Sequence, residues 1–369
     1  MTSRVYLDAR APLHPAARAA ILEALDDGWA DPGRLHSEGR RAAALADRAK
    51  ETIAGHLGAR PAELRLTPTH TASLHRAVVD VVAARRRLGG RVVHSAVERA
   101  ALLAAADQAE PVSVPVRSDG RVDLDAWRAA LAEPAALAAL QHANPEVGTI
   151  QPLPEAHEAA AAAGVPLLVD AGATIGHVPA PPAWDLLAAD PASWGGPAGL
   201  GVLAVRPRVR TRATGPADEE PWVGVSLPLL AGAAAALDAV ASRRAEAAPR
   251  RRVLLERIRA CLGTIPDVEV PGDPATGLPH VMTFSCLYVD GEALLTELDR
   301  RGVAVGSGSA CTASTLEPSH VLVAMGVLTH GNVRLTLPVD VTDEQVDTLC
   351  AALPDAVAAV RAMLGTSGL

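Results

Sequence analysis

The sequence is almost devoid of lysine. Of its 34 basic residues only Lys50 is a lysine, and the rest are arginine. Aromatic residues are also scarce, at 2% of the 369 positions. Both shortages are typical of a GC-rich coding bias. The shortage of lysine still has a chemical consequence, because any reaction that needs a lysine amine has one candidate in the whole chain.

Cysteine is scarce as well, and its spacing argues against cysteine-rich sites. The four cysteines lie in the last third of the chain and none forms a C-x-x-C pair, at Cys261, Cys286, Cys311 and Cys350. Zinc sites usually bring such pairs together, and disulfides need an oxidising compartment. We therefore expect neither a metal site nor a disulfide.

Long apolar runs and an excess of positive charge are also missing. No run reaches the roughly 18 residues of a membrane span, and the first residues lack the apolar stretch of a secretory signal. The net charge of −8 argues against a nucleic-acid surface. With 49% apolar residues the chain can bury a large core. We expect a cytoplasmic globular protein with no membrane or nucleic-acid partner.

Apolar periodicity predicts an α/β fold. Predicted helices at 15–28, 38–57, 72–88, 98–109, 124–131 and 154–163 alternate with strands at 64–67, 91–94, 111–116, 166–170 and 201–205. Such alternation predicts a mostly parallel sheet with helices on both faces. A long helix at 229–247 follows, and Pro249 with three arginines marks a domain junction.

The rest of the chain has the pattern of a smaller α+β domain. It carries helices at 253–262 and from 292, strands at 281–287 and 333–337, and a Gly/Ser-rich loop at 306–314. A last helix opens with Thr342 and Gln345 at capping-box spacing. We predict a large domain over residues 15–248 and a small domain made of residues 1–14 with 249–369.

Eight short motifs follow one another over nearly the whole chain. They are VYLD at 5–8, LHSEGR at 35–40, NPEVGTIQP at 144–152, LVDA at 168–171, GGPAGLG at 195–201, GSGSACT at 306–312, EPSHVL at 317–322 and NVRL at 332–335. Together they resemble the cysteine desulfurases, which are class V aminotransferases with the type I pyridoxal-phosphate fold. The resemblance implies a homodimer, a lysine that binds pyridoxal phosphate as a Schiff base, and a loop cysteine that accepts sulfur as a persulfide.

The resemblance places the Schiff-base lysine at Ser193. A hydroxyl cannot form an imine, and Lys50 belongs to an early helix far in sequence from every motif, where we expect a solvated face. Pyridoxal phosphate is thus implied by resemblance only, and we predict that no covalent pyridoxal phosphate is present.

Other positions of the family pattern are also changed. The ring-stacking histidine falls on Arg99, a cofactor-contacting glutamine on Ala173, and the serine and histidine of the lysine motif on Asp190 and Ala192. Asp190 would place a carboxylate beside the cofactor's phosphate. Because both groups are negatively charged, this substitution opposes phosphate binding. The loop that reaches the partner subunit's phosphate falls on residues 222–225 and is not preserved.

Three cofactor-binding positions remain as vestiges, to be used only if pyridoxal phosphate binds. Asp170 ends an apolar strand, where open α/β sheets bind ligands, and the family uses it to protonate the pyridine nitrogen. The alternative role of Asp170 is a cap or a contact with the loop that follows it. Thr71 matches the phosphate loop, although residues 68–70 depart from the pattern. Asn144 is kept, but Pro145 replaces a second asparagine.

Two further residues match the substrate side of the family site. Cys311 lies in a run of small residues typical of an exposed loop and matches the persulfide cysteine, the alternative being a small buried hydrophobe. Arg334 matches the arginine that binds the substrate carboxylate, the alternative being an ordinary salt bridge.

These residues leave several functions open. The first is a desulfurase-like protein of sulfur transfer that cannot run aldimine chemistry and keeps Cys311 as a persulfide carrier, with a sulfur-acceptor protein as partner. The second is a non-catalytic scaffold, as a homodimer or paired with an active paralogue. In the third, an enzyme reuses the cleft without pyridoxal phosphate, through Asp170, Asp190, Arg99 and Arg334. An active desulfurase is the least favoured.

Overall fold

A computed structural model describes residues 4–213, 226–308 and 318–365. Its strands are β1 Val5–Leu7, β2 Leu64–Thr67, β3 Arg91–Ser95, β4 Glu110–Val114, β5 Leu137–Gln141, β6 Leu167–Asp170, β7 Leu186–Ala189, β8 Gly201–Val205, β9 Val268–Glu269, β10 Val281–Cys286, β11 Val303–Val305 and β12 Val333–Thr336. Its α-helices are α1 Pro15–Asp27, α2 Ser37–Leu57, α3 His70–Arg85, α4 Ala100–Ala106, α5 Leu124–Leu131, α6 Leu153–Ala162, α7 Leu227–Ser242, α8 Arg244–Leu262, α9 Gly291–Arg300, α10 His320–Met325 and α11 Asp343–Met363.

A seven-stranded sheet organises the first 205 residues. Its strand order is β2-β8-β7-β6-β5-β3-β4. The β3–β4, β3–β5, β5–β6 and β6–β7 pairs are parallel, and β8 runs antiparallel to both of its neighbours. The prediction of an α/β fold with a mostly parallel sheet is confirmed.

Helices cover both faces of this sheet, as predicted. Neighbouring residues of one strand point into different cores: Leu168 packs with α3 and α4, whereas Val169 packs with the helices of the opposite face. Strands β5 to β8 are buried along their whole length. Strands buried on both faces are continuous apolar runs without alternation.

That continuity hid two strands from sequence analysis. β5 has the sequence Leu-Ala-Ala-Leu-Gln and β7 is Leu-Leu-Ala-Ala. Leucine and alanine are strong helix formers, so neither segment carries a strand signal of its own. Both are strands because they fill the centre of a buried parallel sheet.

The predicted helix at 229–247 is two helices. α7 ends at Ser242 and α8 begins at Arg244, with Arg243 between them. α8 continues through Pro249 to Leu262, so the proline does not end a helix there. The division into two domains at residue 248 therefore stays a prediction, since a continuous helix crosses it.

The C-terminal part forms a separate hydrophobic core that includes the N-terminal strand. β1 pairs in parallel with β11, and β10 lies between β12 and β9 in an antiparallel sheet. Val5 and Leu7 pack with Phe284, Leu335 and Leu349 in this core. The predicted capping box is confirmed: Gln345 N donates to Thr342 Oγ1 at 3.2 Å and Thr342 N donates to Gln345 Oε1 at 3.0 Å.

Within the described ranges, no helix combines the length and the apolar character needed to cross a bilayer.

Candidate functional site

A cleft of about 800 Å³ opens at the carboxyl edge of the large sheet. Residues from both parts of the chain line it. His70, Arg99 and Ser193 come from the large sheet and its connections, and His280 and Arg334 come from the C-terminal part, just before β10 and in β12. Ligands of open α/β sheets bind at this edge, and the motif residues meet here.

The floor of the cleft is an ion-pair network around Asp170. Arg99 Nε donates to Asp170 Oδ2 at 2.9 Å, and His70 Nε2 lies 2.9 Å from Oδ1. The backbone N–H of Gly172 donates to the same Oδ1 at 2.8 Å. Because an ionised carboxylate only accepts, His70 carries its proton on Nε2. We call Asp170, Arg99, His70 and Gly172 the floor.

The charges of the floor stabilise one another. Burial by itself would raise the pKa of Asp170, but Arg99 and His70 hold that pKa well below its usual range. Burial lowers the pKa of Arg99, and the facing carboxylate of Asp170 more than restores it. Asp170 is therefore ionised at every physiological pH, and Arg99 is its counter-ion.

Glu98 lies beside the floor and is fully buried. Burial raises its pKa to about 8, against the hydrogen bonds it accepts from Ser95 Oγ at 2.6 Å and from the N–H of Gln141 at 3.1 Å. The charge of Asp170 raises it further. Two neighbouring carboxyl groups thus keep opposite states at neutral pH, Asp170 ionised and Glu98 protonated.

Asp170 does not line the cleft, although its three partners do. Gly172 is tightly enclosed: a Cβ built on it would lie 2.7 Å from His70 Nε2, 2.9 Å from Asp170 Oδ1 and 3.1 Å from Arg99 Nη2. The bond from Gly172 N–H is the loop contact considered as the alternative role of Asp170, and its role in cofactor binding stays a prediction. Asp170 stands at the ligand edge of the sheet, and its carboxylate is used by the chain itself.

Ser193 lines the cleft in a short 3-10 helix, Pro191–Trp194. Its Oγ donates to the carbonyl of Asp190 at 2.8 Å, and His177 Nε2 lies 2.9 Å from the Ser193 carbonyl. Asp190 caps this helix by accepting from Ala192 N at 3.1 Å. The hydroxyl at the lysine position is thus turned back onto its own turn.

A buried arginine fixes the histidine that contacts Ser193. Arg251 on α8 is 1% exposed, and its Nη1 donates to His177 Nδ1 at 3.3 Å. A guanidinium cannot accept, so His177 carries its proton on Nε2 and donates to Ser193. His280 stacks on His177 with ring centroids 4.2 Å apart. Burial holds the pKa of His177 at about 4, so this imidazole is neutral.

Lys50 lies elsewhere. It is in α2, half-buried, and is not among the residues that line the cleft. Burial lowers its pKa and nearby Asp47 opposes that shift. Lys50 is thus less exposed than the solvated helix face that we expect from the sequence.

Asn144 and Thr71 both line the cleft and differ in what they can offer a ligand. The Asn144 side chain is bonded to the backbone of the chain itself. Its Nδ2 donates to Val97 O at 3.1 Å, and its Oδ1 accepts from the N–H groups of Glu146 and Val147 at 2.8 and 2.9 Å. Thr71 is exposed at the start of α3. Their roles in cofactor binding stay predictions.

Arg334, Glu146, Ser319 and Gly308 also line the cleft, and together with Asp8, the partner of Arg334, we call them the mouth. Arg334 Nη2 donates to Asp8 Oδ1 at 3.0 Å, which is the salt bridge considered as the alternative role of this arginine. Ser319 Oγ donates to Glu146 Oε2 at 2.9 Å. Substrate binding by Arg334 stays a prediction, and Arg334 is already paired.

The segment with Cys311 begins and ends at this mouth. Cys311 lies outside the described residues, as does the segment 222–225. On either side of the Cys311 segment, Gly308 and Pro318 line the cleft. Gly308 N donates to Asn332 Oδ1 at 3.2 Å, and its Cα packs directly against Glu146 Oε1, where a Cβ would clash.

Sequence analysis missed several residues of the site. His70 was noted only as a departure from the phosphate-loop pattern, and Glu98, His177, His280 and Arg251 were not singled out. A histidine at the first position of a helix that follows a strand was the available signal for His70. The others show no local signal, because their partners are remote in sequence. Among the described residues, no three His, Cys, Asp or Glu side chains are placed to bind a metal.

The residues present do not fit pyridoxal phosphate as the resemblance would require. Ser193 offers no amine, and both oxygens of Asp170 are bonded to groups of the chain. Asp190 places a carboxylate on the cleft wall, where it adds to the field on Arg99. No chemical step through this cofactor is therefore derived for the chain.

Comparison with known proteins agrees with the motifs. A family model described as aminotransferase class-V matches residues 5–219 and 225–349. The chain is 32% identical to "Cysteine desulfurase IscS" of Dictyoglomus turgidum, over 94% of the chain and 93% of that protein. It is 35% identical to "IscS-like cysteine desulfurase" of Mycobacterium tuberculosis, over 98% and 99%.

A solved structure titled "NifS-like protein" superposes with a TM-score of 0.88 and 24% identity, covering 95% of this chain and 98% of that one. At this identity the match shows the fold, which is the predicted type I pyridoxal-phosphate fold. The full-length matches above 30% identity carry the family assignment. The chain therefore belongs to the cysteine desulfurase family of class-V aminotransferases.

Proposed function

We propose that this chain works in sulfur transfer without covalent pyridoxal phosphate, with Cys311 as a persulfide-carrying thiol. The observation that carries the proposal is Ser193 at the cleft wall, in a chain whose single lysine lies outside the cleft. Without an amine there, the chain cannot make its own sulfur donor from cysteine by the family's route, and sulfur must arrive from another molecule.

The proposed step is the transfer of a sulfane sulfur between thiols. The Cys311 thiolate attacks the outer sulfur of a donor persulfide, a new S–S bond forms on Cys311, and the donor departs as its thiolate. The reaction exchanges one S–S bond for another, so it needs no oxidant or reductant. Its reverse, with an acceptor thiol, passes the sulfur on.

The flanks of the Cys311 segment support this role. Gly308 and Pro318 place both of its ends at the mouth of the cleft, and residues 306–314 are almost all small. Two of the other three thiols are less suited. Burial raises the pKa of Cys286 to about 12 and that of Cys350 to about 12, and nucleophilic attack needs a thiolate.

The test is sulfur loading by an active cysteine desulfurase. After incubation with that enzyme and cysteine, non-reducing mass spectrometry of the intact chain should show one added sulfur. Cys311→Ala should show none, and the matched control Cys261→Ala should load like the wild type. Equal loading of Cys311→Ala would contradict the proposal and leave the scaffold function.

We also propose that the chain pairs with itself or with an active relative. A group of apolar side chains on and after α1 is at least half exposed, at Leu22, Leu25, Trp29 and Leu35, and contiguous exposed apolar surface is typical of interaction sites. Light scattering of the purified chain, alone and mixed with an active desulfurase, distinguishes the two. A monomer in both samples would contradict pairing.

Reuse of the cleft for other chemistry through the four charged residues is not favoured. Arg99 and Asp170 do meet, but each neutralises the charge of the other, and Arg334 is paired with Asp8 at the mouth.

The loss of covalent cofactor chemistry has its own test. An adduct of pyridoxal phosphate on Lys50, trapped with borohydride, would contradict it.

A further inference from the structure

We propose that Arg99 and His70 replace the cofactor ring on Asp170, so that the chain fills its own pyridoxal-phosphate subsite and excludes even non-covalent binding there. The inference rests on the proposed loss of covalent cofactor chemistry and deepens it. A missing lysine removes only the covalent bond. A filled subsite removes the place where the ring would lie.

Charge compensation is the first argument. The Asp170 side chain is 2% exposed, and a carboxylate buried at this depth without a partner is strongly destabilising. In the family the positively charged pyridine nitrogen meets this aspartate. Here a guanidinium, an imidazole N–H and a backbone N–H meet it instead, at 2.9, 2.9 and 2.8 Å. A ring nitrogen would have to displace one of these donors.

Space is the second argument. Asp170 is separated from the cleft by His70, Arg99 and Gly172, which line the cleft while Asp170 does not. The four groups are so close that even a methyl group on Gly172 would contact three of them at 3.1 Å or less. A planar ring that reached the carboxylate would therefore have to displace one of these groups.

The framework of the fold holds the donors in place. Asp170 ends β6, His70 opens α3, and Arg99 stands immediately before α4. The backbone positions of all three residues are thus set by elements of one sheet and its helices. The network is therefore part of the large sheet's carboxyl edge.

The decisive experiment loads pyridoxal phosphate onto matched variants. Ser193→Lys restores the amine alone, whereas Ser193→Lys with Arg99→His and His70→Ala also empties the ring subsite. Each purified protein is incubated with pyridoxal phosphate, reduced with borohydride and weighed by mass spectrometry. We expect the triple variant to retain at least about tenfold more cofactor than Ser193→Lys, because Arg99 and His70 no longer compete with the ring for Asp170. A factor of ten corresponds to about 1.4 kcal/mol of binding free energy.

A folded triple variant that loads no more cofactor than Ser193→Lys would overturn the inference. A second measurement covers a triple variant that does not fold. Pyridoxal phosphate should leave the thermal midpoint of the wild type unchanged, because a ligand that binds the native state raises it. A raised midpoint would also overturn the inference.

A glycine pair tests the packing argument separately. Gly172→Ala should lower the thermal midpoint by forcing the floor apart, whereas Gly55→Ala in α2 meets no atom within 4 Å and should leave the midpoint unchanged or raise it. Equal midpoints would show that the floor is loose enough to admit other groups. None of these measurements involves Cys311. A result that contradicts the filled subsite would therefore leave the proposal of sulfur loading on Cys311 to its own test.

Discussion

The floor and the mouth of the cleft differ in how their carboxylates are buried and bonded. At the floor, the carboxylate of Asp170 is enclosed and saturated by donors from the chain. At the mouth, Arg334 is 9% exposed but the carboxylate that it meets, Asp8, is 38% exposed, and Gly308 and Pro318, which flank the segment with Cys311, line the cleft there. The difference is that the floor carboxylate is almost wholly buried among donors of the chain, while the mouth carboxylate keeps contact with water.

The largest expected effect comes from breaking the floor. Arg99→Met keeps the length of the side chain but removes the counter-ion of a buried carboxylate, and removal of one partner of a buried ion pair costs about 3–5 kcal/mol. We expect the free energy of unfolding, measured by urea denaturation, to fall by about that amount.

The control for this change is Arg128→Met. Arg128 pairs with Asp125 on the surface, with side chains 54% and 97% exposed, and such pairs contribute about 0–1 kcal/mol. If the two substitutions lowered stability equally, the distinction between a buried floor and an ordinary surface pair would be lost.

A smaller effect should appear as a pH dependence at the floor. The pKa of Glu98 is raised from 4.5 to about 8 by burial, so the stability it contributes is fully present below pH 4.5 and is lost as the pH rises through about 8. Asp170 acts oppositely, since its lowered pKa contributes stability above pH 3.8 that is lost as the pH falls.

Glu98→Gln removes one of these two groups. The interval from pH 5 to the pKa of about 8 spans three pH units. At about 1.4 kcal/mol per unit, the wild type should lose about 4 kcal/mol between pH 5 and pH 9 that the variant does not lose. Urea denaturation at several pH values measures this difference. Parallel curves for the two proteins would mean that Glu98 is not held protonated by its burial.

The smallest effect is expected at the mouth. Asp8→Asn removes the charge that Arg334 faces, but Asp8 is partly exposed and water can replace it, so the free energy of unfolding should fall by less than about 1 kcal/mol. A loss as large as that of Arg99→Met would place the mouth, and not only the floor, among the fixed parts of the fold.

Much of the fold could be predicted from sequence because its signals are local. The capping residues of α11 and the alternation of helices and strands are short patterns, and both appear as expected. β5 and β7 could not be found this way. Their leucine and alanine residues fit a helix equally well, and only burial on both faces of the sheet decides for a strand.

The site divides along the same line. Sequence by itself determined that no lysine amine is available at Ser193, since a chain with one lysine leaves no other candidate. It also placed Asp170 at the ligand edge of the sheet.

Only the tertiary structure decided what happens to that aspartate. His70 and Arg99 are 100 and 71 residues away from it along the chain, and they meet it because the sheet order brings the start of α3, the start of α4 and the end of β6 to one edge. A local pattern cannot encode a contact whose partners are set by strand order. The enclosure of Asp170 is therefore a property of the fold.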